Sequence, residues 1–155
     1  MKTTLTIVLL ILTLSLKGQE GKYKFKVKEH IAPAAMMFVA GMADGINQGL
    51  MFRYEGFKKV FPGANDKYWQ PSQSWKNKYE NGDPAQGPKF PGSTTWLVFV
   101  TDGYHLSRFT THLFTSGAIA VKIGQKKRKW YVYVIEGLSY WAIQRMGFAL
   151  SYYRF

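Results

Sequence analysis

The chain has no cysteine. That excludes structural disulfides, thiolate metal sites, a cysteine nucleophile and a lipid anchor on cysteine. Acidic residues are scarce as well. Nine Asp and Glu stand against 21 Lys and Arg, for a formal net charge of +12. Such a balance favours anionic partners by non-specific attraction and says nothing of fold. The mean hydropathy of −0.19 argues against a chain that is mostly membrane span. A Gly-rich phosphate loop and a nucleophile elbow are also missing, so no particular reaction announces itself.

What is present is aromatic. Ten Tyr, eleven Phe and five Trp occur among 155 residues. These side chains bury large areas and keep polar tips, which suits cores, interfaces and membrane-surface belts. The length fits one domain with a modest core.

Residues 1–19 open with Lys2, followed by an apolar run of about 12 residues, too short for a comfortable span and apt for a signal-peptide core. Cleavage after Gly18 or Gln19 is expected, with an uncleaved N-terminal anchor as the rival. Losing Lys2 and Lys17 would lower the charge from +12 to +10. Residues 20–155 then form a single domain, exported to the periplasm or the periplasmic face of the inner membrane.

Residues 22–28 alternate lysine with Tyr23, Phe25 and Val27, the period of a strand. A short N-terminal strand or arm is expected, either a lysine-protected edge or an arm for anionic lipid. Pro33 suits a helix start, and residues 34–60 read as one long helix. Gly41, Gly45 and Gly49 recur every four residues, a smooth strip for a neighbouring helix. Residues 64–93 are rich in Pro, Gly and aromatics. Trp69, Trp75, Tyr68, Tyr79 and Phe90 argue for an ordered excursion over the helices, with a short helix at 72–79 capped by Ser72 or Ser74.

A second long helix is expected over 96–121, capped by Ser93, Thr94 or Thr95. A β-hairpin turning at Asp102-Gly103 is the rival. Residues 122–129 hold the basic loop Gln-Lys-Lys-Arg-Lys, and 130–153 form a third apolar segment. The fold class is therefore mainly α: a bundle of three long apolar helices, a long aromatic loop and a short N-terminal strand or arm.

Residues 96–114 hold the densest chemistry. Asp102, His105, Arg108 and His112 are spaced 3, 3 and 4 apart, which on a helix puts them on one face. An acid followed by glycine recurs at Asp44-Gly45, Asp102-Gly103 and Glu136-Gly137. Helices packing at these glycines would bring the three carboxylates to His105, Arg108 and Arg145, and buried carboxylates need such partners.

Four readings fit. The cluster can be ion pairs that set helix register. It can be an anionic ligand pocket, with Arg108 and Arg145 as anion binders and Asp44 and His112 beside them. A metal held by Asp102, His105, His112 and Glu136 suffers because the two histidines stand two turns apart. Acid–base catalysis would use His105, oriented by Asp102, with Glu136. No metal and no cofactor are called for.

Asp102-Gly103-Tyr104-His105-Leu106 resembles the Asp-Lys-x-x-His-Phe step of VanZ-like proteins and related small envelope proteins. Asp102 and His105 match; Gly103 replaces the lysine and Leu106 the phenylalanine. The resemblance covers one or two helical turns. It implies a helical envelope protein with an Asp/His pair inside the bundle and transfers no reaction. The chain as a whole resembles small exported proteins of Bacteroidota.

If all three helices spanned, the basic loop at 122–129 would lie outside, against the positive-inside tendency. A bundle on the membrane surface, or a soluble periplasmic one, removes the conflict. The leading expectation is a non-enzymatic envelope protein that binds a protein partner or anionic lipid through its basic arm and loop. The alternative is an enzyme or binding protein for a phosphate- or carboxylate-bearing envelope molecule, acting through the Asp/His/Arg/Glu cluster. Export disfavours nucleic acid as a partner.

Overall fold

The computed structural model describes residues 26–125 and 128–155. The signal segment and most of the expected strand at 22–28 lie outside the described residues, as do Lys126 and Lys127 of the basic loop. The described chain is mainly helical, and no strand occurs among the described residues. No helix of the described residues is long and apolar enough to cross a membrane.

The first helix, α1, runs Lys28–Phe52, beginning earlier than Pro33 suggests. Pro33 lies inside it. Proline has no N–H for the carbonyl four residues back. That carbonyl, on Glu29, instead accepts a 2.9 Å hydrogen bond from Gln125 Nε2. A side chain 96 residues away in sequence thus satisfies the acceptor that proline leaves open. The expected helix at 34–60 is in fact two, because Arg53 leaves helical geometry (φ −142°, ψ 36°) before α2, Tyr54–Val60.

The excursion is ordered, as its aromatics suggested. Two single turns, α3 (Asp66–Trp69) and α4 (Pro71–Ser74), lead into 3-10 turns at Trp75–Lys78, Glu80–Gly82 and Pro84–Gln86. The expected helix at 72–79 is therefore shorter and tighter. Pro71 opens it at the position proline tolerates. Asp66 ties the excursion down: its Oδ1 accepts from Tyr54 Oη at 2.6 Å and from Lys58 Nζ at 2.7 Å. Phe57 is buried against Phe61, Trp69 and Phe155.

The next long helix, α5, is Gly103–Ile123, not 96–121. Residues before it make turns, including a 3-10 turn at Val98–Val100, and Phe99 folds back to stack on Phe109 at 4.1 Å. The hairpin rival is not formed. The last helix, α6, is Trp130–Tyr152.

α1 is the middle element. α5 runs antiparallel to it: Asn47 Nδ2 donates to Tyr104 O at 2.9 Å, and Gln125 reaches back to Glu29. α6 runs parallel to it on the other flank, with His30 beside Tyr140, Gly41 against Gln144 and Gly45 against Phe148 and Ser151. The glycines permit this approach. A Cβ on Gly41 would stand 1.9 Å from Gln144 O, and one on Gly147 2.2 Å from Phe38 O. The buried apolar residues of the three helices include small ones such as Ala40, Ala43, Ala118 and Ala142. Both α5 and α6 pack on α1, whereas among the described residues they scarcely touch each other. The bundle is thus a three-helix layer with a groove between its outer helices.

Candidate functional site

Asp102 is not on the face of α5. It precedes the helix in extended conformation (φ −159°, ψ 160°) and caps it. Its Oδ1 accepts from His105 N at 2.8 Å, as an N-cap carboxylate does for the third residue on. Its Oδ2 accepts from Thr101 Oγ1 at 3.0 Å and pairs with His105 Nδ1 at 2.7 Å. Asp102 is fully buried, under Trp69, whose ring lies against Gly103. Burial pushes its carboxyl up. The hydrogen bonds from the His105 ring and backbone outweigh that, with help from the His105 charge and Thr101, and hold it below the usual carboxylate value. His105 is partly exposed. A carboxylate on Nδ1 fixes the ring and leaves Nε2 as the outward nitrogen.

The three acid–glycine steps do not converge, because their glycines meet different things. Gly45 meets α6, Gly103 meets Trp69, and Gly137 meets nothing within 4 Å among the described residues. Glu136 lies at the opposite end of α1 from Asp102. His30 marks one end and Asn47 the other, roughly 25 Å apart at about 1.5 Å per residue. Glu136 therefore shares no site with His105.

The expected ligand residues do come together. Asp44, Arg108 and His112 line one open cleft of about 260 Å³ with Asn47, Gln48 and Thr111. Arg145 Nη1 stands 3.9 Å from Asp44 Oδ2 and lies over the Phe148 ring. Arg108 donates to Tyr104 Oη at 3.0 Å. The Asp44 carboxylate inside the cleft works against an anion there. No three His, Cys, Asp or Glu side chains are grouped as metal ligands among the described residues.

Sequence reasoning missed the other end of the bundle. Arg128, which reads as part of a solvated basic loop, is buried. Its guanidinium bridges Glu29, at 2.5 Å, and Glu136. Lys122 Nζ is 3.1 Å from Glu136 Oε2, and His30 Nε2 is 3.7 Å from Oε1. His30 Nδ1 meets Tyr140 Oη at 2.7 Å. Burial first, then the charge of Lys122, pulls the His30 pKa below its ordinary value. This network joins α1, α5, α6 and the α5–α6 connection.

Around the network the surface is apolar and basic together. Val27, Ile31, Ile119, Ile123 and Trp130 are all more than half exposed, Ile123 at 79% and Trp130 at 76%. Lys26, Lys28 and Lys129 stand exposed among them. The apolar surface continues along α6 through Val134, Leu138 and Trp141. The one available signal was the interleaving of Ile119, Val121, Ile123, Trp130 and Tyr131 with the basic run.

The geometry defines a helical layer with a capped Asp–His pair at one end and an ion-paired, apolar and basic surface at the other. No family model, curated protein or solved structure matches the chain.

Proposed function

We propose that this is a non-enzymatic envelope protein, exported and held on an anionic lipid surface by the outer face of α6 and the basic end of the bundle. One observation carries the reading. α6 has only Glu136 and Arg145 as charged residues along its length and is apolar nearly all round. A helix apolar all round belongs in a covered environment, yet α1 covers only one of its flanks. The rest presents Trp130, Val134, Leu138, Trp141 and Leu150 outward. Large exposed apolar patches mark interaction surfaces. Aromatic and aliphatic side chains beside lysines suit a bilayer interface, where rings sit at headgroup level and each lysine adds about 1 kcal/mol on an anionic leaflet. The export signal read at residues 1–19 agrees with an envelope location.

Co-sedimentation tests this. The protein should pellet with phosphatidylglycerol vesicles in low salt, far less with phosphatidylcholine vesicles, and lose much of its binding as salt rises. Failure to pellet with anionic vesicles would overturn the reading in favour of a protein partner.

A second reading rests on the Asp102–His105 pair. A buried carboxylate holding Nδ1 of a partly exposed imidazole is also how a general base is oriented. On that reading the substrate would be a phosphate- or carboxylate-bearing envelope molecule near Arg108. His105→Gln should then abolish turnover of such a molecule while leaving vesicle binding intact.

A further inference from the structure

We propose that the groove between α5 and α6 holds one acyl chain of an anionic phospholipid. The proposal deepens the membrane-docking reading and rests on it for the source of the lipid. Met37 of α1 forms part of the floor, Ala118 and Ile119 of α5 one wall, and Gly137 and Tyr140 of α6 the other. The cavity measures about 540 Å³, inside the range of roughly 300–1,000 Å³ for small-molecule sites. Its lining is mostly apolar, and its charged and amide side chains, Lys122, Gln125 and Glu136, stand toward the basic end.

Gly137 supplies an independent argument. Glycine weakens a helix interior, so a mid-helix glycine calls for a reason. At Gly41, Gly45 and Gly147 the reason is the backbone of a neighbouring helix, within 3 Å of where a Cβ would stand. At Gly137 nothing among the described residues lies within 4 Å. Packing does not account for the missing side chain. The groove does: a larger residue there would occupy it.

Charge selects the occupant. Among the described residues at this end, the cations Lys26, Lys28, Lys122, Arg128 and Lys129 outnumber the acids Glu29 and Glu136. The surplus is positive, so an anionic phosphate head is favoured at the mouth and a chain with a cationic or zwitterionic head is not. The same end carries the exposed Ile123 and Trp130 that would bring the groove to the lipid.

Equilibrium dialysis of the full chain against palmitoyl-lysophosphatidylglycerol, below its micelle concentration, tests the proposal. One molecule should bind per chain. Gly137→Phe should weaken capture at least tenfold and leave co-sedimentation with phosphatidylglycerol vesicles unchanged. Thr115→Phe, at a half-buried position on the opposite wall, serves the same purpose should Gly137→Phe fail to fold by circular dichroism. Undiminished capture by a folded groove-filling variant would overturn the proposal, as would equal capture of lysophosphatidylcholine. So would vesicle binding by the wild type without capture of the lysolipid. Capture without vesicle binding would support the groove and sink the docking reading instead.

Discussion

The two ends of α1 solve the burial of a carboxylate in opposite ways. At the Asp102 end the solution is local. Asp102 finds its partners within three residues, on Thr101 and His105, and the aromatic excursion covers it with Trp69. At the basic end the solution is long-range. Glu29 and Glu136 meet through Arg128, 99 residues from the first and eight from the second. No aromatic loop covers that end among the described residues, and its large apolar side chains face outward. A local cap holds one helix start. A long-range ionic network ties three helices together, which suits an end that must keep its shape while its apolar surface awaits a cover.

The largest expected effect tests that contrast. Arg128→Met removes the cation that bridges Glu29 and Glu136, while Glu136 keeps Lys122 at 3.1 Å and Glu29 keeps Lys26 at 3.4 Å, so the loss should fall at the low end of the about 3–5 kcal/mol typical of breaking a buried ion pair from one side. Urea unfolding should show a loss of that order. A loss below about 1 kcal/mol would mean that the network adds little to the fold.

A smaller effect is expected at the other end. Asp102→Ala removes an N-cap, typically worth about 0.5–2 kcal/mol, together with the ring hydrogen bond to His105. Asp102→Asn keeps an acceptor for His105 N and should recover part of the loss. Vesicle binding should be untouched by either change, because the docking proposal places nothing at that end.

The smallest effect separates the ends by pH. His30 is packed among Lys122, Glu136, Arg128, Glu29 and Tyr140, and its pKa lies below the ordinary histidine value of 6.5. The unfolded chain therefore takes up a proton that the folded chain resists, and stability falls as pH drops below 6.5 toward the folded value. Asp102 is the reverse in chemistry and sits lower in pH. Its folded pKa is below 3.8, so its contribution persists down to that region and is lost only as pH falls through the folded value. Corrected for the intrinsic exchange rate, hydrogen exchange at pH 5.5 should thus be faster than at pH 7 at the end of α5 and the start of α6, while amides at the start of α5 stay protected. Equal acceleration at both ends would erase the distinction.

Much of this helical layer is legible in the sequence, because it depends on local pattern. The apolar segments announce α1, α5 and α6, and the four-residue glycine spacing announces the seam with α6. Boundaries are harder. Pro33 reads as a helix start because its missing N–H usually goes unneeded there. That α1 begins at Lys28 depends on Gln125, a partner no local window contains. Asp102 and His105 stand out as a pair, but the cap is hidden by rival cap residues at Ser93, Thr94 and Thr95. The recurring acid–glycine step misleads because the three glycines stand in different surroundings: helix contact at Gly45, an indole at Gly103 and, among the described residues, nothing within 4 Å at Gly137. Arg128 is obscured by its neighbours, since one buried guanidinium in a run of cations looks like any solvated charge.

The absence of cysteine makes the central proposal, that lipid covers the basic end and the outer face of α6, directly measurable. Single cysteines at Ile123, Leu138 and Asn81 can each carry an environment-sensitive nitrobenzoxadiazole label. On adding phosphatidylglycerol vesicles, the labels at positions 123 and 138 should brighten and shift to the blue, while that at 81, in the excursion at the other end, should not. No change at 123 and 138, or an equal change at 81, would contradict the account.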